Sequence, residues 1–328
     1  MIYIALPEDK IRRLSFYLSM EEYVARFLNE EECFFMWQVN PTVIFGRNQL
    51  MENEVNLDYV REHGIETYRR KSGGGCVYAD FSNIMFSYIT TDFNVSFTFH
   101  KYLQRVAHTL QQLGINAMVS GRNDITIDEK KVSGNAFYRA AGKSIVHGTM
   151  LFNTDLEKLV LSITPNNQKL ISKGIESVRK RVTNLSEHFD TDIEAFKTFV
   201  RTHLCDQEYV LTQDEINKIE DIEKEYLSEE FIFGNNPRYT LIKKDYSTAG
   251  DIEVRLEIKN NIIKDINIVG DYFLVGDIGS IFKLLKNTLY EKESIAGVLE
   301  NIKIEDYIFN LDKNHFIDIL FKEDTEQT

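Results

Sequence analysis

Arg69-Arg70-Lys71-Ser72-Gly73-Gly74-Gly75-Cys76-Val77-Tyr78-Ala79-Asp80 sets three adjacent positive charges directly before three glycines. Glycines let backbone N–H groups come close to a ligand and adopt conformations closed to other residues. Guanidinium and ammonium groups add charge-assisted hydrogen bonds. The combination reads as a site for a small anion, phosphate or carboxylate, although a Gly-rich turn between two strands would leave the same trace. Two nucleotide-binding architectures are excluded. A Rossmann fingerprint needs a third glycine where Tyr78 stands, and Gly142-Lys143-Ser144 has Phe137 where a Walker A motif begins with glycine.

Working outward, the flanking segments are strand-like. Cys33 to Gln38 and Thr42 to Gly46 are short, aromatic and β-branched around Asn40-Pro41, and Asn83 to Thr90 has the same character. Apolar residues at Leu14, Leu18, Ala25 and Leu28 follow helical spacing, with Glu21 interrupting the stripe. A second helix face runs through Phe99, Leu103, Val106, Leu110 and Leu113, with Gly114 placed to end it. Strand-like pieces recur at Ala117 to Ser120, Asp124 to Ile127, Lys131 to Tyr138 and Ile145 to Phe152. Helices follow at Ile193 to Leu204 and Gln213 to Tyr226. Beyond about Asp245 the chain restarts with strands at Ile252 to Ile258 and Ile262 to Ile268, then helices near Ile278 to Asn287 and Ser294 to Asn301. Strands and helices do not alternate as a doubly wound parallel sheet requires, so the expected class is α+β, with one domain over 1–245 and a smaller one over 246–328.

Composition narrows the function. With 38 basic against 51 acidic residues the net charge is −13, which disfavours nucleic-acid binding over an extended basic surface. Positive charge is local, at Arg69 to Lys71 and from Lys173 to Arg181, and suits a small anionic ligand. Cys33, Cys76 and Cys205 are odd in number and lack Cys-x-x-Cys spacing, so reduced thiols are expected rather than a disulfide framework or a zinc site. No apolar run reaches membrane-spanning length, and the N-terminal residues do not read as a leader. No membrane association and a cytoplasmic location are the expectation.

Four further elements accompany the glycine run: Gly121-Arg122-Asn123-Asp124 before a strand, Lys130-Lys131-Val132-Ser133-Gly134-Asn135-Ala136 on one, His147-Gly148-Thr149 opening another, and the basic loop Lys173-Gly174-Ile175 with Ser177-Val178-Arg179. Each alone has an ordinary explanation: a solvated strand lysine, a turn carboxylate, a structural histidine. Their order and spacing together closely resemble bacterial lipoate-protein ligases. Leu18-Ser19-Met20-Glu21-Glu22 and Pro41-Thr42-Val43-Ile44-Phe45-Gly46-Arg47-Asn48-Gln49 are similar to the family's first helix and second strand pair. Phe231-Ile232-Phe233-Gly234-Asn235-Asn236-Pro237 resembles its motif near the end of the catalytic domain.

The resemblance implies a biotin/lipoate ligase catalytic domain, related in fold to class II aminoacyl-tRNA synthetases, with a small α+β C-terminal domain. It implies two steps: lipoate and ATP give lipoyl-adenylate and pyrophosphate, then the acyl group passes to a carrier lysine. Octanoate is the alternative acid. The implied carriers are lipoyl domains of 2-oxoacid dehydrogenase acyltransferase subunits and the glycine-cleavage H protein. Lys131 would stabilise charge on the α-phosphate and acyl carbonyl in both steps. Asp124 would hold Mg2+ against the phosphates, and Asn123 would bond the nucleotide. Gly73, Gly74 and Gly75 would line the acyl and adenylate channel, with Arg70, Ser72 and His147 at the lipoate end. Val77, Tyr78, Ser133, Gly134, Ala136, Gly148 and Thr149 complete the implied substrate-binding set. Lys173 and Arg179 to Arg181 would fall in a mobile loop near the adenylate or the carrier.

Two positions depart from the family pattern: Ala79 stands where His is usual, and Cys76 where Ala is common. A thiol there raises a second possibility, ATP-independent octanoyl or lipoyl transfer through a cysteine thioester, with Arg70 and Lys71 lowering the thiol pKa. A third is a lipoate-binding protein without catalysis. A biotin ligase is disfavoured because its Gly-Arg-Gly-Arg-x-Gly loop is missing.

Overall fold

The computed structural model describes the chain apart from residues 9, 50, 93, 122, 164–175, 234–240 and 323–328. The chain divides into two compact units. One comprises Met1–Phe45, Met51–Arg70 and Cys76–Ile232. The other comprises Phe233–Thr328 with two short segments from the first half, Gly46–Leu50 and Lys71–Gly75.

The first unit is built on an eight-stranded sheet. Its strands are β1 (Ile2–Ala5), β2 (Glu32–Trp37), β6 (Asn83–Thr90), β7 (Ala117–Ser120), β8 (Asp124–Ile127), β9 (Lys130–Ala140), β10 (Lys143–Leu151) and β11 (Gln207–Val210), in the order β11-β1-β2-β6-β10-β9-β8-β7. Pairing is antiparallel except where β1 meets β2 and β11. The central strands β6 and β10 are buried at every residue, including the polar Asn83, Ser87, Lys143, Ser144, His147 and Thr149. Helix Leu14–Phe27 covers one face and helix Val95–Gln112 the other. The register separates the faces: Ser87 pairs with His147 on the side of the first helix, while neighbouring Tyr88 stacks on Tyr102 of the second at 5.2 Å. The second helix starts a turn earlier than its apolar spacing suggests, because Asn94 caps it by accepting from Phe97 N at 3.1 Å. Gly114, at φ +80°, ends it.

The two strands flanking Asn40-Pro41 do not pair with each other. β2 joins the large sheet, whereas β3 (Thr42–Phe45) centres a separate sheet between β4 (Glu66–Arg69), parallel, and β5 (Val77–Ala79), antiparallel. After Glu32 and Thr42 at their starts both strands are apolar or aromatic throughout, so local pattern carries no sign of which partner each takes. Val43, Phe45, Met51, Val55, Val60 and Tyr78 form a core around this small sheet.

The second unit holds an antiparallel sheet of β12 (Leu241–Ser247), β13 (Gly250–Lys259) and β14 (Ile262–Gly270), followed by helices Ile278–Leu285, Lys292–Val298 and Lys313–Phe321 around their own core. The position 245/246 falls inside β12. The last helix is capped by Asp312, which accepts from His315 N at 2.9 Å. Among the described residues no helix is long and apolar enough to cross a membrane.

Candidate active site

Lys131 owes its direction to a β-bulge. β8 and β9 pair Asp124 with Gly134 and Ile125 with Ser133, but then Thr126 with Lys131, leaving one extra residue on β9. In a regular strand Lys131 and Gly134, three apart, would face opposite ways. The extra residue reverses the alternation and turns Lys131 onto the face of Asp124 and Gly134. There its Nζ lies 2.7 Å from Asp124 Oδ1, with the two side chains 38% and 31% exposed. The contact is a charge pair, not an aligned hydrogen bond, for Oδ1 itself is shielded from solvent and has no hydrogen-bond partner. A Cβ on Gly134 would sit 2.6 Å from Lys131 Cε and 2.7 Å from Nζ. The lysine stem therefore lies across the glycine, which needs its missing side chain for that reason.

The backbone beneath is locked. Thr183 N donates to Lys131 O at 2.9 Å, beside a parallel bridge between Lys131 and Val182. Asn123 Nδ2 donates to Asn135 O at 2.7 Å, while Asn135 Nδ2 returns a bond to Asn123 O at 3.1 Å and another to Ser133 Oγ. Asn123 is thus a clamp between the strand entry and β9. The register places Gly134 opposite Thr149 and Ala136 opposite His147. Asp124, Lys131, Gly134, Ala136, His147 and Thr149 consequently share one face, while Ser133 and Gly148 lie on the other. A Cβ on Gly148 would meet Asn135 Oδ1 at 2.1 Å.

Further along this face, His147 Nδ1 lies 3.0 and 2.9 Å from the two carboxylate oxygens of Glu21. Glu21 is fully buried and also accepts from Ser87 Oγ at 2.6 Å and Tyr138 Oη at 3.2 Å. Trp37 Nε1 in turn donates to Ser87 Oγ at 2.9 Å. In the sequence Glu21 only interrupts an apolar helical stripe. A charged residue at a core position was itself the signal, because a buried carboxylate requires partners.

The glycine run is held within the second unit. Arg47 N donates to Ser72 O at 2.9 Å and Gly74 N to Tyr272 O at 3.1 Å. A Cβ on Gly73 would stand 1.9 Å from that Tyr272 oxygen, and one on Gly46 would stand 2.2 Å from Gly74 O. Gly74 has φ +87°, a conformation that favours glycine. Gly75 differs: nothing lies within 4 Å of its missing Cβ, so packing does not demand a glycine there. In the first unit, Arg70 is buried and donates from Nη1 to Ile44 O at 3.2 Å. Val77 pairs with Ile44, and Tyr78 fills the small-sheet core with its hydroxyl on Asp80 Oδ2 at 2.9 Å. Arg122, residues 173–175 and residues 234–237 of the motifs lie outside the described residues.

Cys76 is half-buried, and burial together with Glu54 pushes its thiol up to about 12 against the opposing pull of Arg70. The expected thiolate activation by neighbouring cations is therefore outweighed by desolvation. Ala79 is fully buried opposite Thr42. Among the described residues no group of three or more His, Cys, Asp or Glu is placed to hold a metal. A divalent cation here would rest on Asp124, whose shielded Oδ1 fits that use, and on oxygens of a bound phosphate.

Comparison with known proteins defines the class. Residues 14–205 match the family model described as lipoyl protein ligase A/B catalytic domain, and residues 236–320 match bacterial lipoate protein ligase C-terminus. The chain belongs to the lipoate-protein ligase family. It is 38% identical over 316 residues to lipoate-protein ligase LplJ of Bacillus subtilis, spanning 93% of this chain and 96% of that protein. Among solved structures it is similar to a bipartite lipoate protein ligase from Thermoplasma acidophilum, described with its E2 lipoyl domain, at 27% identity and TM-score 0.65, over 73% of this chain and 98% of that one. It is also similar to a lipoate-protein ligase A bound with ATP, at 26% identity and TM-score 0.62, over 71% and 98%. The α+β ligase architecture expected from the motifs holds.

Proposed function

We propose that this enzyme joins lipoate to a carrier lysine in two steps through lipoyl-adenylate. The observation that carries the reading is Lys131, turned by the bulge onto the face of Asp124 at 2.7 Å. In the first step a lipoate carboxylate oxygen attacks the α-phosphorus of ATP, the bond to the β-phosphate bridge breaks and pyrophosphate leaves. In the second, the uncharged carrier amine attacks the acyl carbon, AMP leaves with its phosphate oxygen, and one proton passes to solvent. Negative charge builds on phosphoryl oxygens and then on the acyl oxygen. A half-exposed ammonium fixed by an ion pair and a pinned backbone stabilises both without acting as base or nucleophile.

Asp124 would hold Mg2+, which supplies charge neutralisation on the phosphates. Asn123 is assigned to the nucleotide end. Arg70, Ser72 and His147 are assigned to lipoate, Gly73 to Gly75 with Val77 and Tyr78 to the channel, and Gly134, Ala136 and Thr149 to the strand wall around Lys131, whereas Ser133 and Gly148 of the same motifs lie on the opposite face of those strands. Residues 246–328 are assigned an accessory role. The ATP-bound relative supports ATP use, and the relative described with an E2 lipoyl domain supports a lipoyl carrier. The thioester route is disfavoured by the raised Cys76 thiol. The test is lipoate-dependent exchange of labelled pyrophosphate into ATP with Mg2+, run on wild type and Lys131→Ala. Exchange lost in the variant, with lipoate binding retained, supports the reading. No exchange in wild type with lipoate or octanoate overturns it.

A further inference from the structure

We infer that Asn135 is a positioning residue for Lys131: it holds the strand register that creates the bulge, with Ser133 and Gly148 as its seat. The inference rests on the proposed role of Lys131 and deepens it. The hairpin of β8 and β9 is pinned at both ends. At its tip, Ile127 pairs with Lys130 across the two-residue turn Asp128-Glu129. Both turn residues have positive φ, 48° and 65°, the conformation of a tight hairpin turn that fixes register. At the far end, Asn123 is held opposite Asn135. Between these pins β8 runs through Asp124, Ile125 and Thr126, whereas β9 runs through Lys131, Val132, Ser133 and Gly134. One residue of β9 must go unpaired, and that extra residue is what brings Lys131 and Gly134 onto one face.

A bulge disrupts the ladder around it, so this register gives up pairing that a regular hairpin would keep. Asn135 offsets the loss. Its backbone N donates to Asn123 O at 3.0 Å and its Nδ2 to the same oxygen at 3.1 Å, while Asn123 Nδ2 donates to Asn135 O at 2.7 Å. Asn135 Nδ2 also donates to Ser133 Oγ at 3.1 Å, beside the bulge. The side chain is 4% exposed, so breaking these bonds would leave a buried amide unsatisfied. Sliding β8 by one residue from the fixed turn would set Gly134 opposite Asn123 and abolish the amide pair. Gly148 pairs with Asn135, and a Cβ on it would stand 2.1 Å from Asn135 Oδ1. The glycine of His147-Gly148-Thr149 and the serine before Gly134 thus make room and a partner for Asn135, on the face away from Lys131.

Because Asn135 faces away from the site, it acts on the reaction only through the backbone. A side chain that merely stabilised the strand would change the fraction of molecules folded. One that holds the register changes where Lys131 Nζ stands in every folded molecule. Ala136, His147 and Thr149 belong to the regular pairing of β9 with β10, which does not depend on the bulge. Loss of the register should therefore lower kcat and spare substrate binding, the pattern of a contact made in the transition state.

The test uses the full chain as wild type, Asn135→Ala and Asn135→Asp, with Asn94→Ala as the control for stability lost at a helix cap outside the site. Asn135→Asp keeps the shape but sets an acceptor against Asn123 O, and Asn135→Ala carries the comparison if that variant fails to fold. In both, kcat for pyrophosphate exchange per folded molecule should fall on the order of 10- to 100-fold, with KM for lipoate and ATP within about twofold of wild type. Asn94→Ala should lose a few degrees of melting temperature and keep its kcat. A crystal structure of Asn135→Ala should show Asp124 no longer opposite Gly134. A kcat within about twofold of wild type in the Asn135 variants, or KM that rises while kcat holds, overturns the inference. So does a crystal structure in which Asp124 still faces Gly134. No exchange in wild type would sink the proposed function instead, and the crystal structure would still decide the register lock.

Discussion

Replacing Gly134 by Ala separates the position of Lys131 from the stability of the strand beneath it. The added Cβ would lie 2.6 Å from Lys131 Cε and 2.7 Å from Nζ, whereas carbon atoms in contact settle near 3.5 Å or more. The lysine is the flexible partner, so it should retreat by about 1 Å and leave its 2.7 Å pairing with Asp124. Gly134 does not have a positive φ, so alanine fits the backbone, and the entropy removed from the unfolded chain offsets the crowding to within about 1 kcal/mol. The melting temperature should then move by only a few degrees. Catalysis should suffer more, because misplacing a charged group by about 1 Å costs roughly 100-fold. The assays are pyrophosphate exchange and thermal melting on the same preparations. Gly148→Ala is the contrast: its Cβ would meet Asn135 Oδ1 at 2.1 Å and Gly134 O at 2.7 Å, both held in place, so about 1–3 kcal/mol of stability should go. Near-normal exchange by Gly134→Ala would refute the claim that Lys131 works from this position, and severe unfolding would show that the glycine serves the strand instead.

Four other outcomes are expected. Gly73→Ala should destabilise the second unit by about 1–3 kcal/mol, since its Cβ would lie 1.9 Å from the Tyr272 carbonyl oxygen. Gly75→Ala, with nothing within 4 Å, should leave denaturant stability unchanged, so any loss of exchange there would mark space reserved for ligand. Cys76→Ser should retain ATP-dependent transfer, and the wild-type thiol should react slowly with alkylating agents at neutral pH because it titrates near 12; abolished transfer would revive the thioester route. Burial works to raise the Glu32 carboxyl, yet hydrogen bonds from Arg105, Tyr88 and Lys101 outweigh it and hold it down from 4.5 to about 2. Its stabilisation is thus full above pH 4.5 and is lost as pH falls through 2. Glu32→Gln should flatten that part of the acid-stability curve, and an unchanged slope would contradict the pairing.

The sequence by itself determined the family, through motifs whose order and spacing survive in linear form, and most of the elements. Ala117–Ser120, Asp124–Ile127, Ile193–Leu204 and Gln213–Tyr226 stand where periodicity placed them, because side-chain alternation and helical spacing are local properties. Strands β1, β4, β5 and β11, of only three or four residues, left no such pattern. Tertiary structure alone decided that β2 and β3 part into different sheets, since pairing is a non-local choice between equally apolar strands. It decided that Glu21 binds His147 across 126 residues of chain. Above all it decided the direction of Lys131. A strict alternation would have sent that side chain away from Asp124, and only the register slip against β8, visible once two strands are paired, turns it back.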